Sequence, residues 1–155
     1  MDKKKFSIVL IAPEIPGNTG SIGRTCVALG IPLILIKPYG FDLTEKAVRR
    51  AGLDYWKYVA IKEYDSFSHF MQTEKANKEQ LFFFENAKEK SYYNAGYQED
   101  AYLIFGSETK GVAAEILNDY PDRVFSLPQF SPHIRSLNLS NAATAAAYEC
   151  LRCLS

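Results

Sequence analysis

The fold class is decided by the stretch SIVLIAPEIPGNTGSIGR, residues 7–24. Its first six residues, 7–12, are an almost continuous apolar run ended by a proline. Such a run is typical of a strand that is buried on both faces of a parallel sheet. The proline- and glycine-rich segment 13–20 predicts a loop, and a helix is expected from about 21 to 29, where a glycine and a proline follow. A buried strand that leads through a loop into a helix is the repeating unit of parallel α/β domains.

The same alternation continues to the end of the chain. Apolar runs of four residues predict the further strands, and periodic segments with capping residues predict the further helices. Either Asp42 or Thr44 caps the helix that ends near Gly52. We therefore expect a largely parallel sheet in a single domain over residues 1–155. The expected strands are 33–36, 59–62, 81–84, 102–105 and 124–127, and the expected helices are 42–52, 67–75, 113–118 and 138–154.

The charge balance does not favour a nucleic-acid partner by itself. The chain has 18 basic and 18 acidic side chains and a formal net charge of zero, whereas nucleic-acid-binding domains are usually basic. Local clusters at 3–5 and 46–50, with Arg24 and Arg135 beside loops, leave room for a basic patch. The alternative is that these clusters are solvated surface.

Cysteine usage and hydropathy bear on the compartment, on metal binding and on membrane association. Cys26, Cys150 and Cys153 form no disulfide framework, which suits a reducing compartment, and we expect a cytoplasmic protein. The spacing of Cys150 and Cys153 resembles half a zinc site, but the two histidines are not spaced to complete it, so no metal is predicted. No apolar run approaches the ~18 residues of a membrane span, and no membrane association is expected.

Three loops are expected at the carboxyl ends of strands, where ligands of open parallel sheets bind. The first, 13–24, supplies Asn18, Thr19 and Arg24. The second runs from Gly106 to Gly111, and its glycines permit a close approach of ligand to backbone. Neither loop matches the glycine fingerprint of dinucleotide-binding or triphosphate-binding proteins, and the chain has no hydrolase G-x-S-x-G.

The third loop, 135–141, concentrates a cation, two hydroxyls and two amides before an apolar helix. Ser140 or Asn141 would suffice to cap that helix. The surplus of polar groups indicates a site. Arg24 lies among apolar residues, so we expect it to face a cleft or a partner. The structural alternative is an interface ion pair with Glu14 or with a carboxylate of a neighbouring subunit.

Four motifs, taken together, resemble one known group. The sequence is similar to the tRNA (cytidine/uridine-34) 2′-O-methyltransferase group of the SPOUT superfamily, in the order and spacing of the motifs, over about residues 7–152. The motifs are PEIPGNTGSIGR (13–24), RRAGLDY (49–55), FGSETKG (105–111) and RSLNLSNA (135–142).

The resemblance implies a parallel-sheet SPOUT fold with a deep trefoil knot in the C-terminal third. It also implies a homodimer through the knot region, and S-adenosyl-L-methionine bound by the knot loops. General topology rules disfavour a threaded chain, so only the resemblance predicts the knot. The residues expected to bind the cofactor are Phe84, Gly106, Glu108, Gly111, Leu127, Ser136 and Leu137.

The resemblance further implies 2′-O-methylation of nucleotide 34 in the anticodon loop of leucine tRNAs. Arg24 would orient the hydroxyl and its phosphate, since arginine is hard to deprotonate, and His133 is a rival base. The expected catalytic residues are Arg24, Asn18, Ser140, Asn141 and, from the partner subunit, Tyr148; those expected to hold RNA are Arg24, Arg49, Arg50 and Arg135. The alternatives are a SPOUT enzyme acting on ribosomal RNA and a non-catalytic cofactor-binding scaffold.

This chain departs from the group's pattern at three places. Glu85-Asn86 replaces a usual Thr-Thr, Ser107 replaces a usual proline, and the loop 128–135 is one residue longer. The departures fall in loops assigned to the cofactor, so they concern its contacts and the choice of tRNA rather than the reaction.

Overall fold

The computed structural model describes residues 5–50 and 53–155. Helices and strands alternate along these residues. They are β1 (Phe6–Ile11), α1 (Pro16–Leu29), β2 (Leu33–Ile36), α2 (Glu45–Arg50), β3 (Ile61–Tyr64), α3 (Phe67–Glu74), β4 (Leu81–Phe84), β5 (Ala101–Phe105), α4 (Ala114–Asp119), β6 (Val124–Phe125) and α5 (Leu139–Leu154).

The strands form one sheet in the order β3-β2-β1-β5-β4-β6, and every pairing is parallel. The chain builds outward from β1 to one edge and then returns to build the other half next to it. The strand order therefore reverses beside β1 and β5, and ligands of such sheets bind beyond the carboxyl ends of the strands at this kind of point. The predicted α/β class with a parallel sheet is confirmed.

Both faces of the sheet are buried, as the continuous apolar runs predict. Alternate residues of β5 enter different halves of the core: Leu103 packs on the side of α1 and α5, and Ile104 packs on the side of α3. Both side chains are fully buried. Because side chains of a strand alternate between faces, a strand with helices on both sides needs an apolar residue at every position.

The structure corrects two boundaries near the site. The predicted loop over 16–20 is wrong, because α1 already begins at Pro16. Proline is well tolerated at the first helical position, where its missing N–H has no helical acceptor. The early start places Asn18 and Thr19 inside the helix, both buried.

The second strand-to-helix boundary is settled by Thr44, whose Oγ1 accepts a hydrogen bond from the Ala47 N–H at 3.3 Å. The helix α2 therefore starts one residue later, and Asp42 instead accepts from the Thr44 N–H at 2.8 Å. The expected end of this helix near Gly52 lies outside the described residues, as do two lysines of the cluster 3–5.

Candidate functional site

A cavity of about 470 Å³ lies at the carboxyl ends of β4 and β5. Its walls come from the segments that follow β4, β5 and β6 and from the start of α1 and α5. The volume falls in the range of small-molecule sites, which is roughly 300–1,000 Å³. All seven residues expected to bind the cofactor line this cavity, together with Asn18 and Arg135.

Two glycines shape the cavity. A Cβ at Gly106 would lie 1.9 Å from the carbonyl carbon of Gly111, so no other residue fits there. Gly111 has a φ of 69°, in the left-handed region that favours glycine. The loop between them is closed by the Gly111 N–H, which donates to the Ser107 carbonyl oxygen at 2.9 Å. The result is a tight turn whose backbone a flat ligand can approach closely.

An apolar wall faces this turn. The rings of Phe84 and Phe105 are stacked with centroids 4.7 Å apart, and both residues are buried. Half-buried Leu127 continues the same wall. A glycine cradle beside stacked aromatic rings suits a ligand with a planar heterocycle, such as adenine, so the residues present fit an adenosyl cofactor.

Two glutamates fasten the first loop to the second. Glu108 accepts hydrogen bonds from the N–H groups of Glu14 and Ile15 at 2.8 and 2.9 Å. Glu14 in turn accepts from the N–H and hydroxyl of Thr109 at 3.0 and 2.7 Å. The hydrogen bonds from Thr109 hold the pKa of Glu14 below its usual value. Glu108 thus lines the cavity while both of its oxygens hold the start of α1.

A chain of amides joins the first loop to the third. The Asn18 Nδ2 donates to Glu108 at 3.2 Å, and the Asn18 Oδ1 accepts from the Asn138 Nδ2 at 3.1 Å. The Asn138 Oδ1 accepts from the N–H groups of Ser140 and Asn141 at 2.9 and 3.3 Å. The cap of α5 is therefore Asn138, not Ser140 or Asn141. Sequence reasoning missed this residue, although an asparagine just before an apolar helix is a capping signal.

Glu85 is a second cavity residue that sequence reasoning did not assign to the site. It follows β4 directly, and its Oε1 accepts the Val112 N–H at 2.7 Å. Burial raises the pKa of Glu85, while the Val112 hydrogen bond and the charge of Lys88 oppose that rise. Its position at the carboxyl end of a buried strand was the signal that would have found it.

Arg24 is exposed on α1 and lies outside the cavity. Its Cζ is 5.5 Å from the centroid of the Tyr55 ring, and the Tyr55 hydroxyl donates to the Gly20 carbonyl at 2.8 Å. Because Glu14 is engaged by Thr109, the alternative ion pair with Arg24 does not form. Within the described residues no carboxylate pairs with this guanidinium, so it is available to an anionic ligand.

The helices α1 and α5 lie side by side and run in the same direction. Their contacts are Asn18 with Asn138 and, further along both helices, Thr25 with Thr144, whose hydroxyl oxygens are 2.7 Å apart. This packing places Tyr148, which is 50% exposed, one turn beyond Thr144. Arg24 and Tyr148 therefore stand on neighbouring helices at the surface.

Of the remaining predicted residues, Arg135 lines the cavity, whereas Ser140, Asn141 and Arg50 are not among its lining residues. Ser140 is half-buried and Asn141 is exposed at the start of α5. Arg135 is exposed at the cavity mouth and Arg50 is exposed on α2, whereas the side chain of Arg49 lies outside the described part of the structure.

The cysteines and His133 stand apart from this arrangement. Cys26 and Cys150 are buried, and burial raises the pKa of each thiol to about 12.

Residues 5–50 and 53–155 contain no group of three side chains placed to hold a metal ion, and none of their helices is long and apolar enough to cross a membrane. His133 is exposed in the loop before α5.

A parallel sheet with a glycine-lined cavity at its strand reversal defines an α/β protein that binds a nucleotide-like ligand. A model of the SpoU rRNA Methylase family matches residues 5–148. The chain therefore belongs to the SpoU methylase family, which confirms the resemblance drawn from the four motifs.

Individual relatives agree with the family. The chain is 40% identical over 148 residues to the tRNA (cytidine(34)-2'-O)-methyltransferase of Escherichia coli, covering 95% of this chain and 92% of that one. It is also similar to a solved structure described as "Structural insights into the 2-OH methylation of C/U34 on tRNA", with 40% identity, a TM-score of 0.87 and 97% of each chain covered.

A more distant solved structure contains the cofactor. The SpoU methyltransferase AviRb from Streptomyces viridochromogenes, in complex with AdoMet, has a TM-score of 0.80 and 25% identity. The match covers 98% of this chain but 61% of that one. The shared part is thus nearly all of this chain, and the AviRb chain is longer.

Proposed function

We propose that this protein transfers a methyl group from S-adenosylmethionine to the ribose 2′-hydroxyl of wobble nucleotide 34, C or modified U, in leucine tRNAs. The observation that carries the proposal is the cavity, which three separate loops build around the glycine cradle of Gly106 and Gly111. The 40% identical relative, whose match covers 95% of this chain, is named for methylation at position 34 of tRNA. The reaction takes place in the cytoplasm, where tRNA matures.

The cofactor would be held by the cavity residues. S-adenosylmethionine supplies an electrophilic methyl group when bound. Phe84, which is stacked on Phe105, and Leu127 would provide an apolar surface for adenine, while the backbone around Gly106 and the 136–137 segment offers hydrogen-bonding groups. Alignment of two reactants can remove roughly 7–11 kcal/mol of barrier, so a rigid cradle is a large part of catalysis.

Arg24 would act on the RNA rather than on the cofactor. A guanidinium remains charged at neutral pH and forms bidentate hydrogen bonds with phosphate. Arg24 would hold the phosphate next to the reacting ribose and stabilise negative charge that develops on the 2′-oxygen. Its exposure on α1 and its freedom from carboxylate partners among the described residues support this role.

The start of α5 would position the ribose. Asn141 has an exposed side-chain amide there, and the Ser140 hydroxyl oxygen lies 2.5 Å from the Asn138 Oδ1, to which it donates. That arrangement leaves the Ser140 oxygen as an acceptor for a ribose hydroxyl. Asn18 would support this group through its hydrogen bond with Asn138.

The RNA would be read as an open anticodon loop. Single-stranded bases splay out and stack on aromatic side chains, while arginines hold the phosphates. Tyr148 is a half-exposed aromatic residue on α5, and Arg50 and Arg135 are exposed cations. Arg49 would join them. This patch allows RNA binding in spite of the zero net charge.

The active unit would be a homodimer joined through the C-terminal third, with a trefoil knot in each subunit. Two observations support this proposal. The segments 106–111 and 135–139 line one cavity although they lie far apart in sequence, and the exposed Tyr148 stands away from the cavity of its own subunit. In a dimer, Tyr148 would complete the partner's nucleotide site.

Ribosomal RNA is the nearer alternative substrate, since the family description names it. The chain covers 97% of the C/U34 structure but 61% of AviRb. The 40% identity with the C/U34 structure, against 25% with AviRb, favours tRNA as the target. The second alternative, a cofactor-binding scaffold, gives no role to an arginine that pairs with no carboxylate among the described residues.

The decisive experiment is methyl transfer from labelled S-adenosylmethionine to total tRNA from cells that lack this gene, followed by nucleoside mapping. We expect the label in 2′-O-methylcytidine or a 2′-O-methyluridine derivative at position 34. Label in ribosomal RNA instead would show that ribosomal RNA, and not tRNA, is the substrate. No transfer to either RNA would contradict the proposed activity.

Arg24→Ala should abolish methylation, with a loss of at least 100-fold or about 2.7 kcal/mol, while cofactor affinity and melting temperature stay unchanged. Arg24→Lys should recover part of the activity at most, because a lysine ammonium cannot bind phosphate in bidentate fashion. Single-turnover methylation and calorimetric cofactor titration measure the two effects separately. Full methylation by the alanine variant would contradict the assigned role.

A further inference from the structure

The side chain of Glu85 occupies a wall of the cofactor cavity. Its carboxylate lies against the glycine cradle, since a Cβ on Gly111 would be 2.7 Å from each of its oxygens. The glutamate directly follows β4, at the carboxyl end of a buried strand. A carboxylate in a half-buried cavity carries a desolvation cost that a threonine hydroxyl avoids.

The backbone of Glu85 is held by hydrogen bonds at both its N–H and its carbonyl group. Its N–H donates to the Phe125 carbonyl oxygen at 3.0 Å, and its own carbonyl accepts from the Ser126 hydroxyl at 2.6 Å. The direction of the Cα–Cβ bond of Glu85 is therefore set by Phe125 and Ser126 before any ligand binds. Such preorganisation is what a ligand-contacting residue requires.

The hydrogen-bond inventory of the carboxylate is incomplete. Its Oε1 accepts the Val112 N–H at 2.7 Å. Within residues 5–50 and 53–155 no group donates to the other oxygen, Oε2. A neutral acceptor would satisfy the Val112 N–H equally well. The charge of Lys88 acts on the carboxylate, but among the described residues Oε2 has no hydrogen-bond donor, and it lies in a cavity wall.

We propose that Glu85 is a cofactor-binding residue, whose Oε2 accepts a hydrogen bond from an N–H or O–H donor of S-adenosylmethionine. The inference rests on the proposed function, since it assigns a contact within the same site. The cofactor offers such donors in its ribose hydroxyls, its adenine amino group and its ammonium group. All of them persist in the product, S-adenosylhomocysteine, which lacks only the methyl group and the sulfonium charge.

Glu85→Gln tests the contact with little change of shape. The glutamine oxygen can still accept the Val112 N–H, and its amide NH₂ then points where Oε2 stood. A donor would face a donor, so the hydrogen bond with the cofactor is lost. Removal of a charge-assisted hydrogen bond typically weakens binding by about tenfold or more. Glu99→Gln, an exposed site away from the cavity, is the matched control for the loss of one charge.

The measurement is isothermal titration of each protein with S-adenosylmethionine and with S-adenosylhomocysteine. We expect Glu85→Gln to weaken both ligands about tenfold and to the same extent, and Glu99→Gln to match the wild type. Affinities within twofold of wild type would overturn the inference. Weakening of S-adenosylmethionine alone would overturn it too, because the carboxylate would then act on the sulfonium charge.

The wild-type titration separates this inference from the proposed function. A wild-type protein that binds neither ligand contradicts the function itself, whereas binding by wild type and Glu85→Gln alike contradicts only the role of Glu85. A crystal structure of the wild type with S-adenosylhomocysteine provides a readout that does not depend on the variant's folding. A cofactor donor within about 3.2 Å of Oε2 supports the contact, and a donor beyond that distance overturns it.

Discussion

A missing side chain at Gly106 keeps the cavity open. The residue contacts the backbone of Gly111 and Val112 so closely that a Cβ would lie 1.9 to 2.2 Å from three of their atoms. Backbone atoms cannot move aside as a flexible side chain would. Any substitution must therefore displace the loop that also carries Glu108 and, through it, the start of α1.

Gly106→Ala should therefore abolish cofactor binding and lower the free energy of unfolding by about 1–3 kcal/mol or more, the usual cost of overpacking. Urea denaturation and cofactor titration measure the two effects. Gly17→Ala is the matched control, since nothing lies within 4 Å of the Cβ it would add in α1. There alanine should stabilise the helix by roughly 0.5–1 kcal/mol. A Gly106→Ala protein with normal cofactor affinity would contradict this account of the turn.

The ionised form of Glu85, which is proposed to bind the cofactor, lowers the stability of the folded protein. Burial raises its pKa in the folded protein, so folding favours the protonated form. That contribution is present at acidic pH and is lost as the pH rises through the raised pKa. At pH 7 the ionised carboxylate is therefore a cost, and Glu85→Gln is not expected to lower the melting temperature.

At the scale of elements, α5 is connected to the site through its first residues. Asn138 caps the helix with its Oδ1 and reaches Asn18 in α1 with its Nδ2. The Asn138 side chain thus has two roles: it caps α5, and it attaches the start of α5 to α1. The second attachment, between Thr25 and Thr144, lies further along the same pair of helices.

Asn138→Ala should destabilise the protein by about 1–2 kcal/mol, the typical cost of losing an N-cap. Asn138→Asp keeps the capping oxygen but loses the donor to Asn18, so it should retain most of the stability and still reduce methylation. Denaturation curves and initial rates measure the difference. Asn94→Ala, at an exposed position, is the control. Equal destabilisation by the alanine and aspartate variants would contradict the capping assignment.

At the scale of the whole molecule, exposed cations lie at both ends of the parallel strands, and their surroundings differ. Arg135 stands at the cavity mouth, beyond the carboxyl ends of the strands. Lys78 precedes β4 and lies 3.8 Å from Asp122 at the opposite edge of the sheet. We therefore expect a one-sided RNA patch, in which the RNA contacts cations at the cavity end of the strands and not those at the opposite end.

Arg135→Ala should weaken tRNA binding and reduce the slope of log affinity against log salt by about 0.7, the value for one single-stranded phosphate contact. Lys78→Ala should leave the slope unchanged, because this cation is paired at the far edge. Fluorescence anisotropy with labelled tRNA at several salt concentrations measures both. A slope that falls equally for both variants would contradict a one-sided patch.

The sequence by itself determined the class of sheet and most of its elements. Strands β2 and β4 and the core of α5 fall where the apolar runs predict, because alternation and helical periodicity are local properties of neighbouring residues. The segment 16–20 was predicted as a loop because glycine and proline usually mark turns, yet Pro16 starts a helix there. The residues of the cavity came from the resemblance of four motifs rather than from periodicity.

The tertiary structure alone decided which polar groups meet. Glu108 reaches the backbone of Glu14 across 94 residues, and Asn138 reaches Asn18 across 120. No local pattern encodes such pairs, since they exist only once the chain has built both halves of the sheet. The cavity position of Glu85 and the surface position of Arg24 were settled in the same way. Local periodicity specifies elements, whereas long-range packing assembles the site.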